Sequence, residues 1–191
     1  DVSSYEFLNW KKQVMFSGVG DADFAAHRAY VGRRANVRKG AYLEDCFILG
    51  NTKVGEGCVI SNLKLTDCII PPGIVLHGLR LINGKYVVRI YGVEDNPKGF
   101  YKENDSFLGT SLSRLLSEND ISQDTLWQDK DKYLWFANLY PVCDTMKEGI
   151  EQALFLYDMC HGRAAKEEIR QWKTRKRMSL YSSFYMADVN Y

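Results

Sequence analysis

Between residues 37 and 76 the apolar positions recur every five or six residues, at Val37, Leu43, Ile48, Val54, Ile60, Leu65, Ile70 and Leu76. Gly, Asn and Asp fall between them, among them Gly40, Asp45, Gly50, Gly57, Asn62, Asp67 and Gly73. This spacing fits neither a helix, with a period of roughly 3.6, nor the simple alternation of one strand. It predicts a parallel β-helix of hexapeptide repeats, in which each short strand sends one aliphatic side chain inward before the chain turns a corner. CFILGN at 46–51 and CVISNL at 58–63 are two imperfect copies, and Cys68-Ile69-Ile70 begins a third. At roughly three hexapeptides per turn, residues 31–80 make nearly three coils. By analogy with the hexapeptide class the solenoid is expected to be left-handed. Pro71-Pro72-Gly73 suits a corner, because Pro removes a donor and Gly tolerates positive φ.

The pattern changes after residue 78. Leu79 to Ile82 and Tyr86 to Tyr91 flank Asn83-Gly84, a strong short-range hairpin signal. Farther on, Thr110-Ser111 can cap a short helix through Leu112, Leu115 and Leu116, and a second turn is expected between Ile121 and Trp127. Residues 133–142 (YLWFANLYPV) read as a buried extended segment ending at Pro141. Asp144 or Thr145 can start a helix that carries Met146, Ile150, Ala153, Leu154, Tyr157 and Met159 on one face and stops at Gly162. Another helix is expected over 164–176, with Ile169 and Trp172 inward. The fold class is therefore mixed β+α. Residues 1–30 form a lead-in and cap, 31–99 the β-helix with its terminal hairpin, and 100–191 a mainly helical connector.

Composition narrows the function classes. The net charge of +1 gives no global field for nucleic acid or an anionic membrane. No apolar run approaches the roughly 18 residues of a membrane span. The five cysteines form no CxxC pair and suit reduced, structural thiols, which points to a cytoplasmic setting. With three histidines and no clustered ligands, no metal site is expected. The chain begins at Asp1 rather than Met, which reads as an excised piece of a longer protein.

Few residues carry candidate chemistry. Gly18-Val19-Gly20 invites a phosphate-loop reading, but it lacks a preceding strand and a nearby basic residue. The loop Glu94-Asp95-Asn96-Pro97-Lys98, with Arg89 on the hairpin before it, is the best polar constellation. Arg89, Asp95 and Lys98 are the candidates for contact with a sugar phosphate. The bland alternative is a turn in which Asp and Asn bond their own backbone. His77 follows the last rung, where acyltransferases of this class place a base, but no coenzyme A signature accompanies it. The basic run Lys166, Arg170, Lys173, Arg175, Lys176 and Arg177 reads as a solvated face or a contact with a missing domain. Trp127, Tyr133, Trp135, Phe136 and Tyr140 read as core.

Three segments carry a resemblance: PPGIVLHGLRLINGKYVVRIYGVEDNPK at 71–98, YLWFANLYPV followed by EQALFLY at 151–157, and the tail Trp172, Arg177, Met178-Ser179-Leu180 with Ala187-Asp188. In these the chain resembles the fucose-1-phosphate guanylyltransferase/fucokinase family over most of 35–188. The resemblance implies a GDP-fucose-forming parent that uses GTP, ATP and Mg²⁺, with this chain lying between a nucleotidyltransferase domain and a sugar kinase domain as its partners. Oligomerisation is a further possible role. The family's Gly-rich nucleotide loop has no counterpart here, and Pro72-Gly73-Ile74 lacks the serines of the kinase phosphate loop. No catalytic residue is carried over. The expected role is a non-catalytic interdomain module. The alternatives are a hexapeptide acyltransferase, which usually has more coils, and a sugar- or nucleotide-binding regulatory domain.

Overall fold

A computed structural model describes residues 24–190. The Gly18-Val19-Gly20 turn lies outside the described residues. The chain divides after His77 into two compact units.

The first unit is a three-sided parallel β-solenoid. Strands β1 (Ala25–Val31) and β3 (Tyr42–Leu49) each bend across two sides. The first half of β3 pairs with β5 (Val59–Ser61), its second half with β6 (Lys64–Thr66). The third side stacks β2 (Asn36–Val37), β4 (Lys53–Val54) and β7 (Ile69–Ile70). β5 then pairs with the start of β8 (Ile74–Arg80). Ala25 lies beside Tyr42, Tyr42 beside Val59, and Val59 beside Val75, so a coil takes seventeen, seventeen and then sixteen residues.

Each side contributes one interior column. Leu43, Ile60 and Leu76 fill the first, Val31, Ile48 and Leu65 the second, and Val37, Val54 and Ile70 the third; all nine are buried. Backbone hydrogen bonds tie coil to coil on every side, as in Tyr42 N to Cys58 O, Phe47 N to Leu63 O and Lys53 N to Cys68 O. The buried Thr52 donates its hydroxyl to Leu49 O at 2.6 Å, so this one polar side chain in the stack is satisfied.

The corners explain why the repeat departs from six. Positive φ occurs at Gly40, Asp45, Gly50, Gly57, Asn62, Asp67 and Gly73, which makes the sides five, five, seven, five, five and six residues long. The shortened last side contains Pro71-Pro72. Cys46, Cys58 and Cys68 each directly follow a corner residue, which gives them equivalent places in the repeat. Left-handed backbone costs an ordinary residue roughly 1–2 kcal/mol, and Asn and Asp tolerate it best. Asp67 also works on the corner stacked against it, since its Oδ1 accepts from Asn51 N at 2.7 Å. A Cβ on Gly50 would lie 2.1 Å from that same oxygen, so this corner requires glycine. Arg28, an unusual residue at φ 50, is held by Asp45 one coil along at 2.6 Å.

The second unit is irregular. β8 turns through 81–85 into β9 (Tyr86–Gly92), its neighbour in the sheet. In this turn Lys85 N donates to Asn83 Oδ1 and Gly84 takes φ 81, so the Asn-Gly pair acts as the sequence predicts. β10 (Ser106–Phe107) and β11 (Thr110–Ser111) form a small hairpin. The helices are α1 (Leu112–Glu118), α2 (Gln123–Trp127), α3 (Met146–Cys160), α4 (Lys166–Thr174) and α5 (Leu180–Met186). Ser111, Ser122 and Thr145 cap the first three with their side-chain oxygens. The buried face of α3 carries Ile150, Ala153, Leu156 and Met159, while Leu154 and Tyr157 are only half-buried. Gly149 is also buried there, and a Cβ on it would come within 2.7 Å of Val88 Cγ2 on β9.

The segment 133–142 is not one extended strand. It contains a 3-10 turn, Leu134–Phe136, and then β12 (Tyr140–Pro141), which pairs antiparallel with β13 (Arg177–Met178). Tertiary bonds bend it: buried Trp127 donates Nε1–H to Tyr133 O at 2.8 Å, and Asn138 N donates to Leu126 O at 2.7 Å. Buried Tyr140 donates its hydroxyl to Ile90 O at 2.7 Å. Trp127 and Tyr140 are core, as expected, whereas Tyr133, Trp135 and Phe136 are only half-buried.

Candidate functional site

The loop after β9 is built around Asp95. Its Oδ2 accepts from Gly92 N at 2.5 Å and from Leu108 N at 3.0 Å, and its Oδ1 accepts from Ser106 Oγ at 3.1 Å. Burial pushes the carboxyl above its ordinary pKa, and these three donors pull it back. Asn96 Oδ1 accepts from Lys98 N at 3.1 Å, and Gly99 N closes the next turn on Asn96 O.

Of the three sequence candidates, Arg89 and Asp95 both lie near the Tyr140 phenol, and Lys98 is on the loop surface. Asp95 joins its own loop to the β10–β11 hairpin. Arg89 lies half-buried on β9 near the phenols of Tyr140 and Tyr91, and burial lowers its guanidinium pKa. Lys98 is exposed and forms no ion pair among the described residues. His77 sits on β8 beside Ser61 of β5.

Residues outside that trio complete the loop. Leu108 and Gly109 both have positive φ, 51 and 77, at the tip of the β10–β11 hairpin. Leucine is a poor choice there, and its backbone is gripped on both sides. Asp95 takes its N–H, and His161 Nε2 lies 2.8 Å from its carbonyl oxygen. His161 in turn stacks on Tyr157 at 4.2 Å. The Gly109 turn signal was in the sequence, but nothing local marked Ser106, Leu108 or His161 as partners of Asp95.

The basic run is dispersed. Arg177 is half-buried, and donates to Asn138 O at 2.9 Å, Trp172 O at 2.6 Å, Lys173 O at 2.9 Å, Arg175 O at 3.1 Å and Thr125 O at 3.3 Å. Its guanidinium lies 4.3 Å from the Trp172 ring centroid. It closes the carbonyl end of α4. Arg175 pairs with Glu148 at 2.7 Å, and Lys173 donates to Asp120 O at 2.5 Å. Lys173, Arg175 and Arg177 thus leave the solvated face expected for the run, because the last turn of α4 folds back on the unit, whereas Lys166, Arg170 and Lys176 are exposed.

Two grooves flank α4. One, of about 260 Å³, is lined by Asn119, Lys166, Ile169 and Lys173 among others. The other, of about 300 Å³, lies between α3 and α4. Among the described residues no group of three His, Cys, Asp or Glu could hold a metal ion, and no helix is long and apolar enough to cross a membrane. Mg²⁺ does not fit the Asp95 loop, since three of the carboxylate's roughly four acceptor sites are already taken and, among the described residues, no group of ligands gathers around it.

The fucose pyrophosphorylase domain family matches residues 8–145. The chain belongs to that family. It is 31% identical over 116 residues to a bifunctional fucokinase/GDP-fucose pyrophosphorylase of Arabidopsis thaliana, covering 59% of this chain and 11% of that protein. It is 28% identical over 129 residues to a fucose-1-phosphate guanylyltransferase of Mus musculus, covering 62% of this chain and 22% of that protein. The alignments thus take in less than a quarter of either relative. No solved structure matches. The solenoid, the hairpin and the Asp95 loop all lie inside the family match, whereas α3 to α5 lie beyond its last residue.

Proposed function

We propose that this chain is the solenoid and connector portion of a GDP-fucose-forming enzyme, and that it supports catalysis without performing it. The family and both relatives favour the parent activity, in which GTP and fucose 1-phosphate give GDP-fucose and pyrophosphate. ATP and Mg²⁺ enter where a kinase domain is fused. The adjacent nucleotidyltransferase and kinase domains are the proposed partners, in a cytoplasmic setting that five free thiols suit.

One observation carries the non-catalytic assignment. The best polar constellation in the sequence is spent on the fold. A carboxylate that is to bind a metal or activate a nucleophile needs free lone pairs facing substrate. Three of the roughly four acceptor sites of Asp95 are taken by Gly92, Ser106 and Leu108. Lys98, the cation of the same loop, stands apart in solvent.

Calorimetric titration of the chain with GTP, fucose 1-phosphate and acetyl-coenzyme A tests the reading. The expected outcome is no saturable heat with any of them, together with no pyrophosphate release from GTP and fucose 1-phosphate. Saturable GTP binding or turnover would overturn the structural role. Saturable acetyl-coenzyme A binding would favour the acyltransferase alternative.

A further inference from the structure

The exposed apolar surface is concentrated at one place. Among the described residues seven large hydrophobic side chains are exposed, and five of them, Ile82, Tyr181, Phe184, Tyr185 and Val189, lie on α5 or beside it. Scattered single apolar residues need no explanation, whereas a contiguous patch marks an interaction site. Ring contacts make this patch contiguous. Half-buried Phe136 and Trp135 meet Tyr181 edge-on, with centroids 5.1 and 6.1 Å away. Tyr185 follows at 4.8 Å from Tyr181, and Phe184 at 5.5 Å from Tyr185. Backbone bonding brings Ile82 beside the row, because its N–H donates to Met186 O at 2.9 Å and Leu81 bridges to Ala187. The row is anchored at its inner end and bare at its outer end, where Phe184 is 61% and Tyr185 65% exposed.

Charge and area select the occupant. No residue from Ser179 to Ala187 is charged, and neither is Ile82 or Val189. An acidic segment, a nucleic acid or an anionic lipid would find no counter-charge on this face. An identical face brings no like charges into contact, and aromatic rings pack well edge to face on their own kind. With about 200 Å² for a whole aromatic side chain, the five residues leave on the order of 500–600 Å² bare. Two such faces together bury roughly 1,000–1,200 Å², the lower end for a specific interface. A two-fold axis lets one patch serve both sides, so the pairing closes at two copies.

We propose that α5 and Ile82 form a homodimer interface, in which the aromatic row of one copy packs on that of a second. The proposal goes beyond the interdomain role and does not depend on it, since self-association is read without nucleotide or sugar.

Sedimentation equilibrium of the chain from about 1 μM to 1 mM is the test. A rise from monomer to dimer mass is expected, with a midpoint in the micromolar range that an interface at the small end supports. Phe184→Asp puts a charge on both sides of the contact and Tyr185→Ser removes a ring; each should weaken the dimer about tenfold or more. Both positions are exposed, so the far-ultraviolet circular dichroism and urea midpoint of these variants should stay those of the parent. Ile69→Ser, at an exposed apolar residue of the solenoid, should leave the dimer unchanged. A chain that stays monomeric throughout overturns the proposal; if that monomer binds phosphatidylcholine vesicles, the face belongs to a neutral membrane instead. A dimer that Phe184→Asp leaves intact, or that Ile69→Ser breaks equally, has its contact elsewhere and overturns the proposal as well.

Discussion

The solenoid and the unit after it solve the same problem in different ways. In the solenoid each side chain has a counterpart about seventeen residues on, and stability rests on three stacked columns and repeated backbone bonds. Polar residues there act at the corners, on their immediate neighbours in the stack. In the second unit, strands and helices of unequal length are joined by long-range bonds from a few side chains, Arg177, Asp95, Trp127 and Tyr140. A repeat spreads its stabilisation over many similar contacts. An irregular unit concentrates it in a few side chains, each with its own partners.

The largest effect should come from emptying a column. Ile60→Ala removes the middle of the first one, between Leu43 and Leu76, and is expected to cost about 2–5 kcal/mol. Its measure is the shift in urea midpoint. A cost well under this range would mean that the solenoid collapses onto the cavity, and the contrast with a well-packed repeat would weaken.

Next comes the second unit's main connector. Arg177→Lys keeps the charge, but an ammonium has three donors and no planar fork to span five carbonyl groups. A loss of about 1.5–3 kcal/mol is expected in the same urea experiment. It should be accompanied by faster hydrogen exchange at Val142 N, which bonds to Lys176 O beside it. An unchanged midpoint would show that the irregular unit does not depend on single connectors.

A smaller effect concerns alkaline pH. Burial pushes the Cys46 thiol from an ordinary value of 9.0 up to about 12. The unfolded chain then releases this proton between about pH 9 and 12 while the folded chain keeps it, so stability is full below that window and falls as pH rises through it. Ala29 occupies the same position one coil earlier, so Cys46→Ala fits the column. The variant should lose less stability than the parent between about pH 8 and 10.5, read from urea midpoints. Equal losses would place the alkaline sensitivity elsewhere, for example at Cys143, whose thiol rises to about 11.

The smallest effect is expected at the surface. Arg28→Ala breaks the exposed pair with Asp45, and should cost no more than about 1 kcal/mol, less in high salt. A larger loss would mean that the corner needs the pair to hold its positive φ.

Much of the solenoid was legible because its signal is repeated. Eight apolar positions marked the columns, and Gly, Asn and Asp marked the corners. Local chemistry also gave the Asn83-Gly84 turn, the helix starts at Ser111 and Thr145, and the stop at Gly162, where φ is 70. In each case a residue acts on backbone within a few positions of itself. The α5 helix was missed even though Ser179 and Ser182 form a capping box, because Tyr181, Phe184 and Tyr185 leave much of its apolar surface exposed and blur the helical pattern.

The sequence alone determined the solenoid's sides, their inward residues and the turn that follows them, since periodicity and turn chemistry are local. The tertiary structure decided the seventeen-residue coil, because corner lengths depend on stacking: Gly50 must clear Asp67, and a Cβ on Gly55 would strike the Pro71-Pro72 backbone at about 2.5 Å. It also decided what Asp95 and Arg177 do. A charged residue in a sequence can face solvent, substrate or the protein's own backbone. For Asp95 the choice was made by Leu108, thirteen residues away, and for Arg177 by Asn138, thirty-nine away.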